Sequence, residues 1–336
     1  MKILFSSYVF YPSVGGIESV SAILADKFVE AGHDVELITE TPGEDVPGAR
    51  YQIRRRPSFW TLLRLLFWSD LLFQNNISLR SLMLAMCLGK HVIVVHQTWI
   101  QNTSGEIGWS GRIKRMLLRH VTNVAISRAV LDHIKTSGVI IANPHDDRVF
   151  RLLPNITRDK TMVFLGRLVS DKGVDLLLHA IKILQSDGLA SEVTIIGEGP
   201  EKENLRRLVH ELGLDRQITF VGEKSGNVLA ELLNRHRILV VPSRWAEPFG
   251  VVALEGIACG CVVVGSESGG LKEAIGPCGL TFENGNERAL AKCLKELLVD
   301  PDREATLRKA APQHLARFRA DMVAVAYLEL LQKAVA

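Results

Sequence analysis

Residues 238–258 read Ile238-Leu239-Val240-Val241-Pro242-Ser243-Arg244-Trp245-Ala246-Glu247-Pro248-Phe249-Gly250-Val251-Val252-Ala253-Leu254-Glu255-Gly256-Ile257-Ala258. A short apolar run ends at Pro242, a loop with charges follows, and a second apolar stretch starts at Gly250. Such a run, bounded by turn residues, reads as a strand buried on both faces. The second stretch reads as a helix, and Pro248 suits its first turn. The unit is therefore strand, loop, helix. It recurs on both sides. In the second half the apolar runs are Thr161–Gly166, Val193–Gly197, Ile218–Gly222, Ile238–Pro242, Val262–Gly265 and Leu280–Phe282. In the first half they are Ile3–Ser6, Val35–Thr39, Asp70–Asn75, Val92–Val95, Val121–Ser127 and Val139–Asn143. Helical patterns fill most of the gaps, as in Ile17, Val20, Leu24 and Phe28.

Alternating strands and helices give parallel sheets with right-handed crossovers. Some twelve strands exceed one ordinary sheet, and a (β/α)₈ barrel wants eight units in one domain. The expected fold is thus α/β, with two doubly wound parallel-sheet domains. The length of 336 residues agrees with two domains. The break is expected near Pro154-Asn155-Ile156-Thr157, giving domains 1–157 and 158–316. Residues 317–336 form a closing helical pattern that could pack on either domain.

Hydrophobic residues make up 47% and charged residues 23%, as in a globular chain. The net charge of +3 does not point to nucleic acid. It conceals a segregation: residues 1–49 carry 2 Lys/Arg and 8 acids, residues 50–128 carry 12 and 2. Five cysteines exclude a disulfide scaffold, and an odd number suits a reducing compartment. No secretory signal is legible at the start, and the greasiest stretch, Phe59–Phe73, is broken by Arg64, Ser69 and Asp70. A cytoplasmic protein is expected. Arg54-Arg55-Arg56 precedes Phe59, Trp60, Leu62, Leu63, Leu65, Leu66, Phe67 and Trp68, a basic and aromatic stretch of interfacial type. Residues 50–128 are therefore candidates for contact with an anionic membrane surface. A helix packed on the sheet with a solvated basic rim explains the same residues.

Three loops and one histidine can carry chemistry. Tyr11-Pro12-Ser13-Val14-Gly15-Gly16 lies between the first strand and helix, where Gly15 and Gly16 permit close backbone approach and the helix N-terminus suits phosphate. It is neither GxGxxG nor a Walker loop, and a plain turn reads as well. Gly166-Arg167-Leu168-Val169-Ser170-Asp171-Lys172-Gly173 places Arg167 and Lys172 at a strand's carboxyl end, where open α/β sheets bind ligands. Two solvated surface cations are the plain alternative. Glu255 is the only charge in its helix, so burial demands partners, and ligand hydroxyls are sensible ones. Glu247 faces the same end. Equally, Glu247 could cap the helix and Glu255 could meet a distant Arg. His96 ends Val92-Ile93-Val94-Val95, at the carboxyl end of a central strand. The cysteines have no metal-ligand spacing and read as apolar packing residues.

Taken together, these loops resemble family 4 retaining glycosyltransferases of GT-B architecture. The marks are Gly15-Gly16, Gly166-Arg167-Leu168 with Asp171-Lys172-Gly173, Ile196-Gly197-Glu198-Gly199-Pro200, Glu247-Pro248-Phe249-Gly250 followed by Glu255 (a Glu-x₇-Glu), Ala258-Cys259-Gly260 and Gly269-Gly270-Leu271-Lys272-Glu273. Their joint order is the specific signal. Gly256 stands where the family usually has Ala, and Asn143-Pro144 replaces Asn-Gly. The resemblance implies two Rossmann-like domains facing a central cleft, with the acceptor in the first, a nucleotide sugar in the second, and the last helix crossing back to the first. It implies that Arg167 and Lys172 neutralise the diphosphate, helped by a backbone N–H of Gly16. Glu255 would take the ribose hydroxyls. Glu247, with the backbone at Phe249, Gly250 and Val251, would take the donor sugar, and His96 would lie near it. No Asp-x-Asp motif is present, so no metal or cofactor is expected. The expected reaction is metal-independent hexosyl transfer with retention, from a UDP-sugar to a glycan or lipid-linked acceptor, in cell-surface polysaccharide or glycolipid synthesis. A NAD-dependent dehydrogenase would need a GxGxxG with an acid ~20 residues on, which neither loop offers. A non-catalytic nucleotide-binding or membrane scaffold of the same fold is the remaining alternative.

Overall fold

A computed structural model describes residues 1–13, 15–44, 46, 48–101 and 105–335. Val14 of the first glycine loop lies outside the described residues. The chain divides into two units, Met1–Pro144 with Phe318–Ala336, and His145–Arg317.

The first unit holds strands β1 Lys2–Ser7, β2 Asp34–Thr39, β3 Gln52–Arg55, β4 Leu71–Asn75, β5 His91–His96, β6 Thr122–Ala125 and β7 Val139–Ile140. They form a parallel sheet in the order β3-β2-β1-β4-β5-β6-β7. Its helices are α1 Gly16–Glu30, α2 Phe59–Trp68, α3 Leu79–Cys87, α4 Trp109–Leu117 and α5 Arg128–Ile134. The second unit holds β8 Lys160–Leu165, β9 Val193–Ile196, β10 Ile218–Gly222, β11 His236–Val241, β12 Val262–Ser266 and β13 Gly279–Phe282, in the order β10-β9-β8-β11-β12-β13. Its helices are α6 Val174–Ser186, α7 Lys202–Glu211, α8 Gly226–Arg235, α9 Val251–Ala258, α10 Leu271–Ile275, α11 Glu287–Val299, α12 Pro301–Lys309 and α13 Ala311–Leu315. The closing helix, α14 Ala320–Val335, belongs to the first unit.

Both sheets are Rossmann-like, and both reverse their strand order beside the first strand of the unit. The switch points are β1/β4 and β8/β11. Ligands of open α/β sheets bind at the carboxyl ends of such strands.

One strand goes unread in the sequence and two expectations are corrected. The strand β3 was not legible, because Gln52-Ile53-Arg54-Arg55 is a polar edge strand with one neighbour, β2. The stretch Val139–Asn143 pairs only over Val139 and Ile140. The boundary falls at Pro144/His145 rather than after Thr157. Residues 145–157 are tied to the second unit: the Leu153 N–H donates to Asn234 Oδ1 at 2.9 Å, and Asn234 Nδ2 donates to the Arg151 carbonyl at 3.0 Å.

The core of the first unit includes Phe5, Phe28 and Phe73, with centroids 4.8 Å apart for Phe5–Phe73 and 5.4 Å for Phe28–Phe73. Tyr327 of α14 meets Phe73 edge-on at 5.5 Å and is fully buried. Burying this aromatic body docks the last helix.

The charge segregation seen in the sequence closes on itself. Arg50 pairs with Glu30 at 2.7 Å, Arg54 with Glu36 at 3.1 Å and Arg80 with Glu40 at 3.3 Å. Arg55 donates to the carbonyls of Tyr11, Thr41 and Glu44, and Arg56 to that of Glu40. Part of the basic excess of residues 50–128 therefore answers the acids of residues 1–49. On α2, Leu62, Leu65 and Leu66 are buried, while Phe59, Trp60 and Phe67 are exposed. The helix thus packs on the unit and still presents aromatics to water.

Candidate active site

The chemistry of the second unit gathers at the β8/β11 switch point. After β8 the chain runs through Gly166 and Arg167, makes a short turn at Ser170–Lys172, and enters α6 through Gly173. Gly173 has φ +68°, and a Cβ there would lie 2.1 Å from the Pro242 carbonyl oxygen at the exit of β11. Only glycine allows the two exits to come so close. Gly199 has φ +159°, and a Cβ there would lie 2.3 Å from the Leu168 carbonyl oxygen. The Leu168 N–H donates to the Glu198 carbonyl at 2.8 Å, and the N–H groups of Arg244 and Trp245 donate to the Asp171 carbonyl at 2.8 and 3.1 Å. Three loops are thereby locked into one rim.

Lys172 and Glu247 meet on that rim, with Nζ to Oε1 at 2.5 Å. The buried Ser243 hydroxyl donates to the same Oε1 at 2.7 Å. Both donors converge on one carboxylate oxygen, so the lone pairs of Oε2 remain able to accept hydrogen bonds. The Glu247 backbone is fixed as well: its carbonyl accepts the Gly270 N–H at 2.7 Å. Ser243, which holds the Glu247 carboxylate, is not singled out by the sequence. A serine in a turn carries no signal until its partner is known.

Arg167 is exposed, and among the described residues it forms no ion pair. A guanidinium in this position can fork onto an anion. Phe249 is buried, and Gly250, at φ +98°, is the cap residue of α9. Val251 is the first helical residue, and no side chain caps this N-terminus. Two expectations fall here. Pro248 precedes the helix rather than standing in its first turn, and Glu247 does not cap α9.

Glu255 sits within α9. Burial, helped by the nearby negative charge of Asp146, pushes its pKa up to about 7. Among the described residues no cation pairs with it, so the alternative of a distant Arg partner is set aside. Hydroxyl donors would satisfy it in either protonation state. Asp171 Oδ1 is also buried without a partner among the described residues.

His96, Gly15 and Gly16 belong to the first unit. His96 closes β5 and is fully buried. Asn123 Nδ2 donates to the Leu118 carbonyl at 2.7 Å, so its Oδ1 faces His96 Nε2 at 3.1 Å as an acceptor. Nε2 therefore carries the proton. Nδ1 is left as a buried acceptor with no partner among the described residues. Burial lowers the pKa to about 4, so the ring is neutral near pH 7. At the end of β1, Gly15 is the cap residue of α1 and Gly16 its first residue, with open space where a Gly16 side chain would be. Glu18 stands on the same first turn and accepts from Ser13 Oγ at 2.9 Å.

The carboxyl end of the first sheet holds a polar network that the sequence did not announce. Ser7 and Ser21 hydroxyls lie 2.7 Å apart, and Asn75 Nδ2 donates to Ser21 Oγ at 2.7 Å. Gln97 Nε2 donates to Asn75 Oδ1 at 2.8 Å and to Asn143 Oδ1 at 3.0 Å. Asn143 returns a bond to Gln97 Oε1 at 2.7 Å. All five residues are buried.

Cys259, Cys261 and Cys278 are buried, and burial pushes the Cys261 and Cys278 thiols up to about 12 and 11. Cys87 is exposed and departs from the packing role expected of all five. Among the described residues, no three His, Cys, Asp or Glu side chains converge as a metal site would require.

A two-domain Rossmann-like fold with a cationic and acidic rim at one switch point is the frame of GT-B glycosyltransferases. The profile of the glycosyl transferases group 1 family matches residues 147–314, and the chain belongs to that family. The chain is 33% identical over 183 residues to D-inositol 3-phosphate glycosyltransferase of Rhodococcus erythropolis. That match takes in 52% of this chain and 41% of the relative, so the chain spans well under two thirds of the relative's length. Two solved structures share the fold over 99% of this chain. Sucrose-phosphate synthase from Thermosynechococcus elongatus has a TM-score of 0.83 at 20% identity, with 98% of its own chain covered. HepE from Anabaena, in complex with UDP and glucose, has a TM-score of 0.82 at 18% identity, with 100% covered.

Proposed function

We propose that the chain moves a hexosyl group from a nucleotide sugar, foremost a UDP-sugar, to a hydroxyl of a glycan or lipid-linked acceptor, with retention of configuration. The observation that carries this reading is the Lys172–Glu247–Ser243 constellation beside the unpaired Arg167 at the β8/β11 switch point. Cations and acidic acceptors on one rim match a ligand with diphosphate charge and sugar hydroxyls. The complex of HepE with UDP and glucose supports the same choice.

In this mechanism, cleavage of the glycosidic bond builds negative charge on the departing diphosphate. Arg167, Lys172 and the N-terminus of α6 stabilise that charge without reorganising. Lys172 keeps donors beyond the one engaged by Glu247. Glu255 takes the ribose hydroxyls, and Glu247 Oε2 orients the donor sugar, with the backbone of Phe249, Gly250 and Val251 alongside. In the first unit, the N–H of Gly16 and the bare Nδ1 of His96 are a neutral donor and a neutral acceptor. Protein cations fill the role that a divalent metal has elsewhere. The acceptor's proton passes to the leaving phosphate.

A panel of nucleoside diphosphates followed by UDP-sugars tests this reading. Binding of UDP with turnover of at least one UDP-sugar is expected. Binding of NAD with no response to any nucleoside diphosphate would overturn it.

Helices α2, α3 and α4 contain Arg64, Arg80, Arg112, Lys114 and Arg115 and no acid. Exposed Phe59, Trp60, Phe67, Trp109 and Met116 accompany them. This favours a second reading, in which the chain works at the anionic inner surface of a membrane, in the cytoplasm. Among the described residues no helix is long and apolar enough to cross a membrane. Flotation with anionic but not with neutral liposomes is expected, and equal recovery from both would refute it.

A further inference from the structure

A cavity of about 240 Å³ opens in the first unit beyond the ends of β4 and β5. Asn76 and Ile77 contribute from the exit of β4, Thr98, Trp99, Ile100 and Gln101 from the exit of β5, and Gly108, Ser110, Gly111 and Lys114 from the start of α4. Among the described residues that line it there is no carboxylate. Among the described residues Lys114 is its one charged lining residue, and that ammonium has no hydrogen-bond or ion-pair partner among them.

A half-buried, uncompensated cation is unusual, and burial lowers its pKa. The first turn of α4 adds to the field. Its cap residue is Gly108, which has no side chain to accept from the free N–H groups. The amide and hydroxyl side chains of Asn76, Thr98, Gln101 and Ser110 offer donors and acceptors around the walls. Trp99 offers an apolar plane held in place: its ring stands edge-on to His133 at 5.2 Å, and His133 Nε2 accepts the Ile100 N–H at 3.1 Å.

We propose that this cavity binds a hydroxylated ring carrying one anionic group, a phosphate or a carboxylate, with Lys114 as its counter-ion. This deepens the proposed sugar transfer by giving the acceptor a chemical class, and it rests on that reading for the acceptor role. The positive potential of Lys114 and the α4 terminus selects the anion. The polar walls hold ring hydroxyls, and Trp99 covers an apolar face of the ring.

Calorimetric titration of the full chain with glucose 6-phosphate, glucuronate and glucose tests the site, with UDP titrated separately. At least one anionic sugar is expected to bind about tenfold or more tighter than glucose. The better of the two identifies phosphate or carboxylate. Lys114→Met is expected to erase that preference, Lys114→Arg to keep most of it, and both to bind UDP as the parent does. Anionic sugars binding no better than glucose would overturn the proposal, as would a preference that survives in Lys114→Met. Loss of the preference in both variants, with circular dichroism showing a perturbed fold in Lys114→Met alone, would also count against it. A chain that fails to bind UDP yet shows the Lys114-dependent preference would remove the donor reading and leave this site standing.

Discussion

At the switch point of the first sheet, Ser7 and Asn75 leave adjacent strands and join a buried network of hydroxyls and amides. At that of the second sheet, the equivalent exits carry Arg167 and Lys172 from β8 and Ser243, Arg244 and Glu247 from β11. The same topology is thus finished with neutral groups in one unit and charged groups in the other. Neutral networks hold their own geometry and are costly to interrupt. On the proposed function, a charged rim instead tolerates substitution structurally and fails in its chemistry. The first switch point is finished with a self-satisfied network, and the proposed function assigns the binding of the donor's charge to the second.

That contrast can be broken experimentally. The largest effect belongs to Lys172→Ala and Glu247→Ala, each expected to lower kcat/KM for transfer by ~100-fold or more. Their melting temperatures should stay within a few degrees of the parent, as measured by scanning calorimetry. Full activity in both would dissolve the distinction. Asn75→Leu should do the reverse, since it removes one hydrogen bond from Ser21 and one from Gln97 inside a buried polar network. A loss of about 2–4 kcal/mol in urea unfolding is expected, with UDP affinity in the folded protein unchanged.

Glu255→Gln comes next and has a definite pH signature. Below pH 4.5 the carboxyl is protonated in folded and unfolded chains alike, and the variant should match the parent. As pH rises toward 7, the unfolded chain ionises while the folded one keeps its proton, so the parent loses stability. Above pH 7 the deficit is constant, and the variant should be roughly 2–3 kcal/mol more stable in denaturant titrations at pH 8. A stability difference independent of pH would show that Glu255 does not titrate as described. Ser243→Ala is the smallest, a loss of about 1 kcal/mol in transition-state stabilisation through the freed Glu247 carboxylate, read as a roughly fivefold fall in kcat.

How much of this was legible in the sequence follows the same contrast. The second unit writes its site in local motifs: Arg167 and Lys172 are five residues apart, Glu247 and Glu255 eight. The central strands could be read because both faces are buried and their apolar runs are nearly unbroken. Strand β3 could not, because an edge strand with Arg54 and Arg55 has no such run. The network of the first unit was equally hidden. Gln97 and Asn143 are 46 residues apart, and neither signals the other until the sheet sets β5 beside β6 and β6 beside β7. The charge imbalance was legible as a total but misleading as a surface, since Arg50, Arg54 and Arg80 meet acids of the preceding segment.

The most direct test of the charged rim is isothermal titration of UDP into the parent chain and into Arg167→Ala, whose side chain holds no other part of the fold together. Saturable UDP binding, weakened at least about tenfold in the variant, is the result expected. Equal affinity in both proteins, or no binding of UDP to the parent, would contradict it.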